Sequence, residues 1–370
     1  MKSRILISSP SLNTHDNVSG IASLVAEIIN SDPNRYIHLK LGSKDNEKRN
    51  LKWAFNLFSG YIKAVTFPFH KNFQIVHLNI GLERKSILRD ALIHMILKNV
   101  FQKKMVFHVH GGYYLMNEAP GGVLRYCLRY LFNNSDKVIV LSTFEKELLT
   151  KRFGDCDFQV LPNAVNTTLA GGMKRKSQEN RLRLIFLGRI NSSKGIFIIC
   201  DSFKYLKKYF NRLQFDIYGT GPDLEKVLNE LSLYPGLNYA YKGVTSGREK
   251  WEALYNSDVF LLPSTHSEGM PISILEAMAS GNTVIVTDDA SVLSVVKNNQ
   301  NGIVVKKNDP EELAKKIEDI LLGKIDCELI GQNSCTYIKE NVSMDQYITS
   351  LNLIYDQLSE DEVIYRTKKN

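Results

Sequence analysis

The chain has 370 residues, 44% hydrophobic and 23% charged, enough for two domains of ordinary size. Its apolar runs are short and interrupted, so no transmembrane helix is expected, and the start, MKSRILISSP, is too briefly apolar for a signal peptide. The net charge of +8 is uneven: residues 1–180 carry 25 Lys+Arg against 14 Asp+Glu, residues 181–370 carry 22 against 25. A basic first half suits nucleic acid, an anionic membrane surface or a phosphate-bearing acceptor, and an ordinary basic surface explains it equally well. No recognisable nucleic-acid-binding module accompanies it. Five scattered cysteines (Cys127, Cys156, Cys200, Cys327, Cys335) lack metal-ligand spacing and fit a reduced cytoplasm.

Residues 4–8 read as a first buried strand. A loop over residues 9–19 follows, and Gly20 opens a helix over residues 21–29. Strand, glycine-containing loop and helix N-terminus make a cradle for phosphate or sugar. The stretch lacks G-x-G-x-x-G, which argues against a nicotinamide dinucleotide. Residues 36–41 read as the second strand. In residues 50–73, Trp53, Phe55, Phe58, Tyr61, Phe67, Phe69 and Phe73 alternate with Lys52, Lys63 and Lys71. Such a helix could lie on a membrane interface or frame an acceptor groove, and core packing explains most of its aromatics as well. A strand over 74–78 and an amphipathic helix over 86–100 lead to a strand over 105–109. That strand runs into His108-Val-His110-Gly111-Gly112. By alternation His108 and His110 share a face, at the strand end where open α/β sheets place ligands. Zinc lacks a third ligand here, and His108 is the better core residue. A helix over 124–132, a strand over 137–141, a helix over 144–152 capped by Ser142-Thr143, and a strand over 159–161 complete the first half. Asp155-Cys-Asp157 reads as a plain loop, and no metal is assigned.

After a polar linker, residues 167–181, the second half opens with strand Leu182–Leu187. It runs into Gly188-Arg189-Ile-Asn-Ser-Ser-Lys194-Gly195 and a helix over 196–209. Two cations flanking a short loop at a helix N-terminus suit a diphosphate, Arg as a fork of donors and Lys as a point charge. A strand over 214–218 ends in Gly219-Thr-Gly221-Pro222, a turn with room for a base or ribose. Helix 223–231, strand 237–242, helix 250–257 and strand Val259–Leu262 follow. The densest stretch is 263–289. Ser264 or Ser267 can cap a helix, Pro271 suits its first position, Ile272, Leu275, Met278 and Ala279 give an apolar stripe, and Gly281 ends it before strand Thr283–Thr287. Glu268 before that helix and Glu276 within it break the apolar pattern. The positive helix end suits phosphate, and a carboxylate beside it can accept sugar hydroxyls. The site therefore calls for a ligand with both. A helix over 290–298, strand Ile303–Val305, a helix over 311–322 capped by Asp309-Pro310, and a helix over 344–358 finish the chain, with residues 359–370 frayed. Strands alternate with helices throughout, so the fold class is α/β: two doubly wound Rossmann-like domains, residues 1–166 and 182–343, and a C-terminal segment, 344–370.

E-G-M-P-I-S-I-L-E-A-M-A, beginning at Glu268, resembles the E-x7-E signature of the retaining glycosyltransferases of family 4, which have the GT-B fold. G-R-I-N-S-S-K-G, beginning at Gly188, independently resembles the family's G-R-x4-K-G pattern. Pro162-Asn-Ala-Val-Asn166 is similar to its interdomain P-N-G-V-D turn, and His110-Gly111 to its strand-end His-Gly. The likeness is detailed from residue 181 to 309 and thinner before. Ser19-Gly20 stands for a Gly-Gly pair, Ala290-Ser291 for another, and Pro271, without an N–H, for a frequent glycine. The resemblance implies two domains facing each other across a cleft, with the C-terminal helix returning to the first. It implies transfer of a sugar from a nucleoside diphosphate sugar with the anomeric configuration retained. Glu276 would accept the ribose hydroxyls and Glu268 bind the donor sugar. Arg189 and Lys194 would stabilise the departing diphosphate, helped by backbone at Gly20, Gly269, Met270 and Ile272. Gly219 would border the base, and His110 would touch the sugar near the reacting carbon. Fixed cations would replace a metal, and no cofactor is expected beyond the donor, most often a uridine nucleotide, then guanosine. The expected acceptor is a glycan or lipid-linked oligosaccharide of a bacterial capsule or lipopolysaccharide, in the cytoplasm or peripherally on the inner face of its anionic membrane. A nucleotide-sugar epimerase or hydrolase of the same fold, or a non-catalytic nucleotide-sugar-binding subunit, is the alternative.

Overall fold

A computed structural model describes residues 3–13, 19–42, 51–154, 156–168, 181–266 and 269–367. Among these residues the strands form two six-stranded sheets, paired in parallel throughout. The first sheet holds β1 (Ile5–Ser9), β2 (Tyr36–Lys40), β3 (Ile75–Ile80), β4 (Lys104–Val109), β5 (Lys137–Val140) and β6 (Phe158–Val160), in the order β2-β1-β3-β4-β5-β6. The second holds β7 (Leu182–Leu187), β8 (Leu213–Tyr218), β9 (Asn238–Gly243), β10 (Val259–Leu262), β11 (Thr283–Thr287) and β12 (Ile303–Val305), in the order β12-β11-β10-β7-β8-β9. Parallel neighbours need crossover connections. Helices provide most of them: α1 (Gly20–Ser31), α2 (Leu51–His70), α3 (Arg84–Met95), α4 (Tyr113–Met116), α5 (Gly122–Asn134) and α6 (Thr143–Phe153) in the first half. In the second come α7 (Ile196–Ser202), α8 (Leu224–Ser232), α9 (Gly247–Tyr255), α10 (Ile272–Ala279), α11 (Pro310–Leu321) and α12 (Cys327–Asn341), then α13 (Met344–Thr367). Strands covered on both faces read as unbroken apolar runs, and β1, β3, β10 and β11 are buried at every position.

The chain divides into two compact units, Met1–Asn163 with Met344–Asn370, and Ala164–Ser343. In the first core, Phe132 meets Phe107, Phe153 and Phe158 edge to face. In the second, Phe203 packs against Phe210 and Phe215. Helix α13 belongs to the first unit. Its buried Tyr355 shares a 2.6 Å hydrogen bond with His77 Nδ1, and buried Arg35 donates to Asn352 Oδ1 at 2.5 Å and Asp356 Oδ1 at 3.1 Å. Each sheet reverses its winding once, between β1 and β3 in the first and between β7 and β10 in the second. Connections leave such neighbours on opposite faces and open a crevice at the strands' carboxyl ends.

Several expected elements change. The helix over 196–209 stops at Ser202, and successive i→i+3 turns and a 3₁₀ segment, Lys207–Arg212, follow, burying Phe203, Leu206 and Phe210. The helix over 290–298 is one 3₁₀ turn, Val292–Ser294. Asp289 Oδ1 accepts from Ser291 N and Asn301 Oδ1 from Lys297 N, side-chain bonds that compete with a helix. Helices α4 and α12 were not foreseen, and α13 runs past residue 358 to Thr367. Of the aromatic stretch, the side chains of Lys52, Trp53, Phe55 and Phe58 lie outside the described residues. Phe73 is fully buried, Tyr61 and Phe67 pack against the core, and Phe69 is 70% exposed. Core packing claims most of the rest.

Candidate functional site

In the second unit the loops after β7, β8 and β10 press together, backbone on backbone, at the switch in strand order. Gly195 has φ +74°, and a Cβ there would lie 1.8 Å from the Pro263 carbonyl oxygen. A Cβ on Gly219, φ +129°, would lie 1.9 Å from the Gly188 oxygen, and one on Gly221 2.1 Å from the Ile190 oxygen. Only glycine permits these approaches. The room foreseen at Gly219 is therefore filled, on its Cβ side, by the loop that carries Arg189. Asn191 Oδ1 caps that loop, accepting from Lys194 N at 3.2 Å and Ser193 Oγ at 2.8 Å. Thr265 N donates to Ser193 O at 2.9 Å, tying the β10 loop to it. The backbone thus brings an exposed Arg189 and a half-buried Lys194 to the start of the segment that feeds α10.

Helix α10 begins at Ile272. Pro271 is its N-cap, with ψ 124° and no side-chain cap, rather than its first helical residue. Ser267 and Glu268 lie outside the described residues. Gly269 and Ile272 are half-buried and Met270 is buried. Glu276, 6% exposed, sits in the second turn, and Lys250 Nζ on α9 donates to its Oε1 at 2.5 Å. The pair keeps a buried carboxylate from standing alone in low dielectric. Gly281, φ +75°, ends the helix as its sequence position foretells.

In the first unit, Gly20 is the exposed first residue of α1, and Ser19 flanks it as an N-cap without a side-chain bond. At the carboxyl end of β4, Gly111 and Gly112 both take positive φ, and a Cβ on Gly112 would lie 2.3 Å from Leu82 N. This holds the β4 turn against the loop after β3 and sets His110 beside β3. His110 Nε2 is 2.8 Å from Asn79 Oδ1. The His108 ring lies 4.0 Å behind, and His108 Nδ1 is 3.2 Å from His77 Nε2. His77 and His108 are fully buried, while His110 keeps an exposed edge. Burial drives His77 and His110 down to about 3 and His108 well below its usual range, so the stack is neutral at physiological pH. Among the described residues no group of three His, Cys, Asp or Glu side chains could hold a metal ion. Asp155 lies outside the described residues, and Asp157 pairs with Lys137 at 2.5 Å.

Two family models match the chain in succession: "Glycosyltransferase Family 4" over residues 37–169, and "Glycosyl transferases group 1" over residues 173–336. The chain belongs to the group 1, family 4 glycosyltransferases. This glycosyltransferase is similar to an uncharacterized glycosyltransferase of Methanocaldococcus jannaschii, 24% identical over 318 residues covering 82% of this chain and 80% of that one. It is also similar to the putative colanic acid biosynthesis glycosyltransferase WcaL of Salmonella typhimurium, 27% identical over 172 residues, 44% of this chain and 41% of that one. Its fold matches that of Anabaena HepE, solved in complex with UDP-glucose, with a TM-score of 0.73 and 15% identity, covering 97% of this chain and all of the other.

The glycosyltransferase's two strongest motifs converge at one switch point, since Arg189 and Lys194 follow β7 while Gly269, Met270, Ile272 and Glu276 follow β10. Sequence reading missed Lys250, Asn79 and His77. Lys250 lies 26 residues from Glu276 on another helix, and no spacing rule joins them. His77 and Asn79 alternate along β3, which the sequence reading ended at residue 78 and to which it assigned no site residue.

Proposed function

We propose that this glycosyltransferase moves a hexose from a UDP-sugar to a hydroxyl of a glycan or lipid-linked glycan in surface polysaccharide synthesis, retaining anomeric configuration and using no metal. The observation that carries the reading is the junction of the β7 and β10 loops at the switch point, with two cations on one loop and a buried carboxylate beyond the other. Glu276 accepts the ribose hydroxyls. Arg189 and Lys194 neutralise the departing diphosphate, the charge that a metal would otherwise meet, and do so without reorganising. We assign the phosphates to backbone at Gly269, Met270 and Ile272, with Gly20 as a further contact. Gly219 sits at the base, and Glu268 and His110 take the donor sugar. The diphosphate oxygen receives the acceptor's proton as the acceptor attacks on the same face. The UDP-glucose bound by HepE favours uridine, and the WcaL likeness favours a bacterial surface polysaccharide.

Among the described residues no helix is long and apolar enough to cross a membrane. We place the peripheral contact with anionic lipid on α3 and α5, which pack side by side. They expose Leu88, Leu92, Met95, Val123 and Tyr126 beside Arg84, Lys85 and Arg129.

Titration calorimetry with UDP and GDP tests the nucleotide site in the wild type and in folded Glu276→Ala and Arg189→Ala variants. UDP is expected to bind, and each substitution to weaken it roughly tenfold or more, the weight of a charge-assisted hydrogen bond. If neither nucleotide binds, or binding ignores both residues, the assignment is wrong. Product anomer by NMR then decides retention.

A further inference from the structure

Three strands converge on one amide. Asn79 N, on β3, donates to Ser8 Oγ of β1 at 3.0 Å, and Asn79 Nδ2 donates to the Ser8 carbonyl at 2.8 Å. A carbonyl only accepts, so the amide nitrogen must face Ser8 and Oδ1 must face the other way. It faces His110 Nε2 at 2.8 Å. Oδ1 also only accepts, so Nε2 must carry the hydrogen. In a neutral imidazole, Nδ1 is then the bare acceptor. The His108 ring, 4.0 Å away, blocks one side of the His110 ring, and His77 closes the stack behind it.

We propose that Asn79 is a positioning residue that fixes His110 in its Nε2–H tautomer, so that Nδ1 acts solely as an acceptor for a hydroxyl of the donor sugar. Burial supports this by keeping the ring neutral. His110 so held cannot give a proton from Nδ1 or lend positive charge to the diphosphate. Among these side chains, charge stabilisation falls to Arg189 and Lys194. His110 instead senses whether the sugar presents a hydroxyl at that point. The second half of this inference rests on the sugar contact proposed above for His110; the tautomer does not.

Nitrogen-15 spectra of histidine-labelled protein test the tautomer directly, with His110 assigned by its loss in His110→Gln. The wild type is expected to show a neutral His110 with Nε2 protonated from pH 5 to 8. Asn79→Ala should release the ring to a mixture of tautomers. Asn79→Asp, which keeps the acceptor and adds charge, should retain Nε2–H and raise the His110 pKa so that the ring becomes doubly protonated near neutral pH. It also serves should the alanine variant fail to fold. A His110 protonated on Nδ1 in the wild type, or spectra unmoved by Asn79→Asp, would overturn the proposal. Calorimetry separates the functional half: Asn79→Ala should leave UDP affinity within twofold and weaken UDP-glucose roughly fivefold to tenfold. If the tautomer shifts as expected while UDP-glucose binds unchanged, the positioning stands and the sugar contact of His110 is refuted.

Discussion

Glu276 shows how a site residue is decided by a neighbour the sequence does not advertise. Its carboxylate is buried, and a buried charge without a partner loses far more hydration than it regains. Lys250 Nζ, itself 16% exposed, supplies the partner at 2.5 Å and occupies one carboxylate oxygen. The other is the oxygen to which the proposed ribose contact is assigned. Lys250→Met should therefore destabilise the protein by about 3 kcal/mol in urea unfolding, the usual cost of stranding one member of a buried pair. Adding Glu276→Gln to Lys250→Met should return most of that loss, while UDP affinity stays low, since an amide oxygen accepts from the proposed diol more weakly than a carboxylate does. A double variant no more stable than Lys250→Met would show that the pair is not what holds α9 to α10. The motif spacing displayed Glu276, Arg189 and Lys194, because loops before helices carry their chemistry in a few consecutive residues. It did not display Lys250 or Asn79, because each reaches its partner across elements, through tertiary packing.

At the scale of elements, strands were the most legible. β7, β10, β11 and β12 fall where their apolar runs place them, since a strand buried on both faces leaves little polar interruption, here Arg183 of β7, which pairs with Asp258. Helices were less so. α12 hides because its buried face includes Gly331 and Ser334 rather than an aliphatic stripe, although Asp326 caps it clearly, accepting from Leu329 N at 2.9 Å. The aromatic stretch over 50–73 left an interfacial and a core reading open, and most of its described aromatics turn inward. A row of exposed apolar residues runs along α3 instead, where Leu88, Leu92 and Met95 follow one helical face behind Arg84 and Lys85. The double variant Leu88→Glu with Leu92→Glu should cut binding to vesicles rich in phosphatidylglycerol at least tenfold in a sedimentation assay. It should leave UDP binding and folding intact, since both positions face solvent. Vesicle binding that survives the double variant, or is absent from the wild type, removes the membrane contact from this face.

Across the whole molecule, the histidines are segregated. His77, His94 and His108 are buried in the first unit, and the second carries only His266, which is exposed. Burial lowers these rings and that of half-buried His110, His77 and His110 to about 3, His94 to about 4 and His108 well below its usual range. The unfolded chain takes up protons on these rings below its pKa of about 6.5, and the folded unit does not. Below that pH the unfolded state therefore binds more protons. The stabilisation is full above about pH 6.5 and is lost as pH falls toward the folded values. Each ring removes up to about 1.4 kcal/mol per pH unit in that window, so acidification from pH 6.5 to 5 removes roughly 7 kcal/mol from the first unit through the four rings. That is comparable with the total stability of an ordinary domain. Hydrogen exchange read by mass spectrometry at pH 7 and pH 5, corrected for intrinsic exchange, should show peptides from β1, β3 and β4 losing protection while those from β7, β10 and β11 keep theirs. His94→Gln, away from the His110 network, should flatten the dependence by about one quarter. Equal loss in both units would mean that carboxylates, spread through both, govern the acid response instead.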